Sequence, residues 1–220
     1  MQRSSQIKAV VFDLDGLMFN TEMLYQQVGG EILRRRGKTF GPDLLDRIMG
    51  RRTHVALQMI IDWHGLPDTV ETLSAESTEI FSGILDTQLR QMPGLSDLLD
   101  ALEAANIPKA VATSSNRAFT LRVLGQFDLV SRFVFILTAE DVTEGKPDPE
   151  IYRTAAARLN VEPQQMLVLE DSYNGCQAAI AAGAFAVAVP GGHSLSHDFS
   201  GSNLIASSLA DPRIYAALGL

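Results

Sequence analysis

The chain has 220 residues, of which 46% are hydrophobic and 20% are charged, so wholesale disorder is excluded and a sizeable core can form. Lysine and arginine total 18 against 26 aspartates and glutamates, and the net charge of −8 lacks the basic footprint of a nucleic-acid binder. The single cysteine, Cys176, excludes an intramolecular disulfide framework.

Apolar runs in the sequence are short. None reaches the roughly 18–20 residues that a membrane-spanning helix needs. The polar residues 1–8 lead into a brief apolar segment and contain neither the apolar region nor the cleavage site of a secretory signal. We therefore expect a cytoplasmic protein with no membrane partner and no nucleic-acid partner, present as a monomer or a weak dimer.

The predicted elements change in character along the chain. Residues 7–12 form a β-branched apolar run that predicts a buried strand, and residues 21–91 show helical spacing that predicts about four helices and no strand. After residues 92–94, Met-Pro-Gly, helices and strands alternate. The predicted helices are 96–105, 117–127, 149–159, 174–182 and one from about 211; the predicted strands are 108–112, 133–137, 166–169, 185–189 and a weaker one near 204–205.

This alternation predicts an α/β fold with a doubly wound parallel sheet. Strands joined through helices of roughly 10–15 residues imply right-handed crossovers between parallel strands. The helical block interrupts the sheet after its first strand. We expect an α/β core of residues 1–18 and 92–220 with an inserted α-helical unit of residues 19–91, whose two ends lie close together.

Polar residues follow several predicted strands at their carboxyl ends. Asp13 and Asp15 follow the first strand, residues 113–115 (Thr-Ser-Ser) follow the second, and residues 170–172 (Glu-Asp-Ser) follow the strand at 166–169. In open parallel sheets, ligands bind in the crevice beyond these ends. The pattern predicts that carboxylates and hydroxyls from separate strands meet at one site.

The carboxylates in this pattern suggest a metal ion. Asp13 and Asp15 are two residues apart, and their mutual repulsion in an apolar cleft would be costly without a cation. Hard oxygen ligands suit Mg²⁺, and Asp171 with Glu170 beside it can complete the oxygen shell. An alternative is that this last segment caps the next helix, a role that Ser172 can fill while Asp171 faces the metal.

Lys146 lies in a turn that Gly145, Pro147 and Pro149 stiffen, so its ammonium group is placed rather than mobile. Beside carboxylates and a phosphate, the lysine would balance charge. Thr113 can supply a hydroxyl to the phosphate and Ser114 at least a backbone N–H. The start of the following helix offers further N–H groups.

Phosphate monoester hydrolysis is the chemistry that such a set suits. The reaction is among the slowest without a catalyst, and enzymes accelerate it by up to ~10²¹-fold. A metal, a lysine and aligned donors around an in-line nucleophile can supply this acceleration. One carboxylate can attack to give an aspartyl-phosphate, while a second protonates the leaving oxygen and later activates water.

Four motifs, at residues 11–16, 113–115, 145–149 and 170–172, resemble those of the haloacid dehalogenase superfamily in order and spacing. Within it, the chain is similar to the branch of small phosphatases and phosphomutases with a helical cap. The resemblance spans nearly the whole chain. It implies a Rossmann-like core and a cap domain formed by the inserted helices.

The resemblance also implies a role for each motif residue. Asp13 would be the nucleophile, and Asp15 would be the general acid and base and would bind Mg²⁺ through its backbone carbonyl. Asp13 and Asp171 would be carboxylate ligands of Mg²⁺, with Glu170 in or next to the metal shell. The phosphoryl group would be held by Thr113 and Lys146.

Residues of the inserted unit bear on the substrate. Residues 49–52 and 60–62 of this unit resemble the matching stretches of pseudouridine-5′-phosphate phosphatases, as do residues 92–94 followed by 112–115 in the core. Arg51 and Arg52 are candidate contacts for an anionic substrate, or alternatively an exposed helix end. β-Phosphoglucomutases are also similar, but they carry a histidine where this chain has Tyr25, which favours hydrolysis.

We therefore predict a magnesium-dependent phosphatase of a small metabolite such as a sugar phosphate or a nucleoside or pseudouridine monophosphate. The first alternative is a β-phosphoglucomutase-type phosphomutase, which would release no net phosphate. A dehalogenase would need no metal, and Asp15 argues against one because dehalogenases lack the second aspartate. A non-catalytic phosphate binder would bind the ligand without turnover.

Overall fold

The computed structural model describes residues 6–48 and 53–220. The chain divides into two compact units. The first comprises residues 1–19 and 91–220 and contains the sheet, and the second comprises residues 20–90 and is helical. Within the described ranges, no helix is both long and apolar enough to cross a membrane.

The sheet of the first unit has six parallel strands in the order β3-β2-β1-β4-β5-β6. The strands are β1 (Ala9–Phe12), β2 (Lys109–Ala112), β3 (Ile136–Leu137), β4 (Met166–Glu170), β5 (Phe185–Ala188) and β6 (Leu204–Ile205). The chain order reverses beside β1, so that β2 and β4 flank it. This arrangement confirms the predicted α/β fold with a doubly wound parallel sheet.

The α-helices of the described residues follow the predicted order. They are α1 (Thr21–Arg35), α2 (Pro42–Ile48), α3 (Thr53–His64), α4 (Val70–Gln88), α5 (Leu95–Ala104), α6 (Arg117–Gly125), α7 (Glu150–Leu159), α8 (Tyr173–Ala182) and α9 (Pro212–Leu218). The first four belong to the helical unit and the other five to the unit with the sheet.

The central strands are buried because helices cover both faces of the sheet, as parallel sheets require. All four residues of β1 and all five of β4 are buried. Small side chains let a helix approach closely: Ala178, Ala179 and Ala182 of α8 pack in one cluster with Val168 of β4. The carboxyl ends of β1 and β4 are therefore supported by a close-packed layer of side chains.

Several predicted elements are shorter in the structure, among them β3 and α6. β3 covers only Ile136–Leu137 instead of 133–137 because it lies at the sheet edge and pairs with β2 alone, while Phe133 packs its ring against Phe12. α6 ends at Gly125 instead of residue 127 because the chain turns away at Asp128, whose φ is 56°.

In the helical unit, α1 packs against α4 along an apolar seam. Leu24 and Val28 of α1 are buried, as are Leu73 and Leu85 of α4. At the end of this seam, Arg36 donates to the carboxylates of Asp68 and Glu76, each at 2.7 Å. These contacts tie the segment after α1 to the start of α4.

The chain enters and leaves the helical unit at adjacent points. In the sheet unit, Phe19 bridges to Gln91 and the Met92 N–H donates to the Met18 carbonyl at 2.8 Å. In the helical unit, the Asn20 side chain accepts a hydrogen bond from the Arg90 N–H at 2.7 Å.

Candidate active site

Three neighbouring strands deliver their carboxyl ends to one edge of the sheet. Asp13 directly follows β1, Thr113 follows β2, and Glu170 ends β4. The sheet ladder continues past the strand ends: the Asp13 N–H donates to the Leu169 carbonyl and the Thr113 N–H to the Leu137 carbonyl, both at 3.0 Å. Backbone hydrogen bonds therefore fix where these side chains begin.

The ammonium group of Lys146 joins this edge. Its Nζ lies 2.5 Å from Asp13 Oδ1, 2.6 Å from Glu170 Oε1 and 3.0 Å from the carbonyl oxygen of Ala112. A lysine ammonium has three N–H donors, and these three acceptors occupy all of them. The Lys146 side chain is 6% exposed, so little water screens the ion pairs.

Burial and neighbouring charges both shift the pKa values of Asp13 and Lys146. Burial raises the pKa of the Asp13 carboxyl, and the carboxylates of Glu170 and Asp15 add to that rise, whereas Lys146 opposes it. Burial acts to lower the pKa of Lys146, but the carboxylates of Asp13 and Glu170 outweigh it and raise that pKa above its ordinary value. Lys146 therefore remains a cation, and the anionic form of Asp13 depends on positive charge beside it.

The Asp15 carboxylate faces the loop after β2. Its Oδ2 accepts a hydrogen bond from Ser115 Oγ at 2.6 Å, and Thr113 Oγ1 lies 3.4 Å from the same oxygen. The sequence predicts Thr113 and Ser114 as phosphate-binding residues and does not single out the Ser115 hydroxyl. Ser114 is exposed. The signal was a run of two serines after the strand, of which the second turns toward Asp15.

Sequence reasoning also missed Tyr152, which lies on α7 and is fully buried. Its hydroxyl donates to Glu170 Oε1 at 2.6 Å, and Lys146 Nζ lies 5.1 Å from the centre of its ring. Burial, with the nearby Glu170, raises the pKa of the Tyr152 phenol well above its ordinary value, so the phenol stays a protonated donor. The available signal was a tyrosine six residues after the motif lysine, on the buried face of a helix.

The segment after β4 includes the predicted helix cap. Ser172 Oγ accepts from the Gly175 N–H at 3.1 Å and so caps α8. The same hydroxyl donates to Glu170 Oε2 at 3.0 Å. Asp171, beside it, is buried with Asp13 and Glu170.

A metal ion fits these three carboxylates. One oxygen each of Asp13, Glu170 and Asp171 lies within 4.8 Å of the others, and all three residues are buried. Their negative charge exceeds the single positive charge of Lys146, and carboxylate oxygens are ligands that hard divalent cations prefer. The donor set therefore suits a divalent cation. Arg51 and Arg52, the predicted substrate contacts, lie outside the described residues.

A family model described as haloacid dehalogenase-like hydrolase matches residues 10–189. The chain belongs to this family. The match contains β2 to β5, nearly all of β1, the inserted helices and every motif described above, and it confirms the resemblance inferred from the sequence.

Relatives in the family carry more specific names. The phosphorylated carbohydrates phosphatase of Thermotoga maritima is 33% identical over 80% of this chain and 82% of its own length. A Drosophila melanogaster protein named "Probable pseudouridine-5'-phosphatase" is 34% identical over 91% of this chain and 89% of its own. The crystal structure of CbbY from Rhodobacter sphaeroides in complex with phosphate superposes with a TM-score of 0.81 at 26% identity, covering 98% of this chain and 100% of that one.

Gly175 offers a test of how tightly Glu170 is held. A Cβ at Gly175 would lie 1.8 Å from Glu170 Oε1, so Gly175→Ala must displace the carboxylate from Lys146 and Tyr152. Because a buried charge then loses its donors, we expect the free energy of unfolding to fall by about 2–4 kcal/mol. Chemical denaturation would measure the change.

The matched control is Gly125→Ala at the end of α6, where a Cβ meets nothing within 4 Å. That substitution should leave stability unchanged or raise it by up to about 1 kcal/mol. A Gly175→Ala variant as stable as the control would contradict the packing described for Glu170.

Proposed function

We propose that the protein is a magnesium-dependent phosphatase that hydrolyses a small phosphorylated metabolite through an aspartyl-phosphate on Asp13. A sugar phosphate or a nucleoside or pseudouridine monophosphate is the proposed substrate class. The observation that carries the proposal is the buried cluster in which Asp13 lies against Lys146 and within shared-ion reach of Glu170 and Asp171. The names of the phosphatase relatives support the same reaction class.

In the first half-reaction, a carboxylate oxygen of Asp13 attacks the phosphorus and the bond from phosphorus to the ester oxygen breaks. Asp15 gives its proton to that departing oxygen, so the product leaves as an alcohol rather than an alkoxide. Asp13 then carries the phosphoryl group as an acyl phosphate. The Ser115 hydroxyl, which donates a hydrogen bond to Asp15 Oδ2, orients the Asp15 carboxyl for this transfer.

In the second half-reaction, water attacks the phosphorus of the aspartyl-phosphate. Asp15, now anionic, accepts a proton from this water. The bond from phosphorus to the Asp13 oxygen breaks, which releases inorganic phosphate and restores both aspartates. One residue thus serves as acid and then as base, because the first step leaves it in the form that the second step needs.

Positive charge makes the attack of one anion on another feasible. Mg²⁺ would be held by Asp13, Glu170, Asp171 and the backbone carbonyl of Asp15, and it supplies charge neutralisation between nucleophile and phosphate. Lys146 donates a hydrogen bond directly to Asp13. A phosphoryl group on Asp13 would therefore form beside the Lys146 ammonium.

Neutral donors and a cap function of the helical unit are the remaining parts of the proposal. The Thr113 hydroxyl and the Ser114 backbone N–H would bind phosphoryl oxygens. The helical unit, residues 20–90, would act as a cap that excludes water from the reaction and selects the substrate. Arg51 and Arg52 are the proposed cap contacts for the anionic substrate.

Asp13→Asn tests the nucleophile. The amide is nearly isosteric but cannot attack phosphorus effectively, so we expect kcat to fall by at least ~10³-fold while the fold is retained. Release of inorganic phosphate from a generic aryl phosphate, with and without Mg²⁺, measures the loss. Thermal unfolding checks the fold.

The control is Asp100→Asn, because Asp100 is an exposed aspartate whose carboxylate pairs with Arg132 away from the site. It should keep wild-type turnover. Ordinary turnover by Asp13→Asn would rule out the assigned nucleophile. Absence of phosphate release by the wild type across a panel of sugar and nucleoside monophosphates would reject the proposed function itself.

Ser115→Ala tests the orientation of the acid. Loss of a hydrogen bond to a charged group costs about 1.5–3 kcal/mol, so kcat should fall by roughly 10-fold or more. Ser200→Ala is a matched control, because Ser200 Oγ donates to Asp198 at 2.9 Å on the surface. Steady-state kinetics of both variants should separate them, and equal kcat values would remove Ser115 from the account.

A further inference from the structure

Tyr152 is a buried polar group that the proposed mechanism does not use. Its side chain is fully buried on α7. Its hydroxyl donates a hydrogen bond to the carboxylate of Glu170, at 2.6 Å from Oε1. A tyrosine that served only to fill the core would gain nothing from its oxygen, which must find a partner when it is buried. The partner here is a residue of the carboxylate cluster.

Glu170 is held on both of its oxygens. Oε1 accepts from the Tyr152 hydroxyl and from Lys146 Nζ, each at 2.6 Å, while Oε2 accepts from Ser172 Oγ at 3.0 Å and from the Ser172 N–H at 3.3 Å. Gly175 leaves no space on the remaining side. Tyr152 is therefore one of the few donors that determine where Oε1 lies.

The position of Glu170 Oε1 decides in turn where Lys146 points. The ammonium contacts three acceptors: Asp13 Oδ1, Glu170 Oε1 and the carbonyl oxygen of Ala112. Because the carbonyl belongs to β2, it is fixed by the sheet, and the other fixed acceptor is Glu170. A shift of Oε1 would rotate the ammonium and weaken its hydrogen bond to Asp13 Oδ1.

We propose that Tyr152 is a positioning residue for the nucleophile: its hydroxyl holds Glu170 Oε1 and thereby directs the ammonium of Lys146 to Asp13. The kinetic part of this inference rests on the proposed phosphatase function. The geometric part does not, because the chain of contacts from Tyr152 through Glu170 and Lys146 to Asp13 is a property of the folded chain.

Tyr152→Phe isolates the hydroxyl, because phenylalanine keeps the ring that packs beside Lys146. The control is Tyr215→Phe on α9, which removes a hydroxyl from a half-buried tyrosine outside this cluster. For Tyr152→Phe we expect kcat to fall about 10-fold with KM within about twofold of wild type, since a hydrogen bond to a charged group is lost while substrate contacts remain. The control should keep both constants.

The second measurement needs neither substrate nor metal. Lys146 is one of only four lysines, with Lys8, Lys38 and Lys109, so its side-chain ¹³Cε and ¹⁵Nζ signals can be assigned by substitution. In the metal-free protein, Tyr152→Phe should shift the Lys146 signals and leave those of Lys8 and Lys38 in place. Tyr215→Phe should shift none of these signals.

The outcomes separate this inference from the proposed function. Unchanged kcat and unchanged Lys146 signals in Tyr152→Phe overturn the positioning role even if the wild type is an active phosphatase. A Tyr152→Phe protein that does not fold also overturns it, because the hydroxyl would then serve the fold. If the wild type releases no phosphate, the proposed function fails and the Lys146 signals alone decide the inference, a shift supporting it and no shift overturning it.

Discussion

The ammonium of Lys146, inserted between the carboxylates of Asp13 and Glu170, is the interaction on which the site depends. Buried carboxylates repel one another, and each is costly to remove from water unless positive charge lies beside it. Lys146 compensates part of that charge through contacts of 2.5 and 2.6 Å. The part left uncompensated, shared with Asp171, would attract a further cation, which in the proposed reaction would offset the charge of the transferring phosphoryl group.

A parallel sheet with β1 at the reversal of strand order is what makes this convergence possible. β2 and β4 lie on either side of β1, so the residues at their carboxyl ends meet the residue that follows β1 without any long loop. Close packing below the site then limits movement. Tyr152 on α7 and Gly175 on α8 confine Glu170 from two helices. The cluster is thus supported by rigid elements, which is the condition for electrostatic preorganisation.

The sequence predicts the parallel sheet and most of the cluster because both depend on patterns that are local in the chain. Asp13 and Glu170 directly follow apolar runs, and parallel strands bring such positions together. Ser115 was missed because dihedral angles within the turn, rather than any periodicity, decide which of two adjacent serines faces Asp15. Tyr152 was missed because a tyrosine on an apolar helix face has the pattern of a core residue. Only the packed structure brings its oxygen to Glu170, 18 residues along the chain.

The central claim, that acidic groups from separate strands share one cation, is tested most directly by calorimetric titration of the metal-free protein with Mg²⁺. The account predicts saturable binding of about one ion per chain, weakened by roughly 10-fold or more in Asp171→Asn, since the neutral amide both loses charge and is a poorer ligand. Absence of saturable binding in the wild type, or equal affinity in Asp171→Asn, would contradict it.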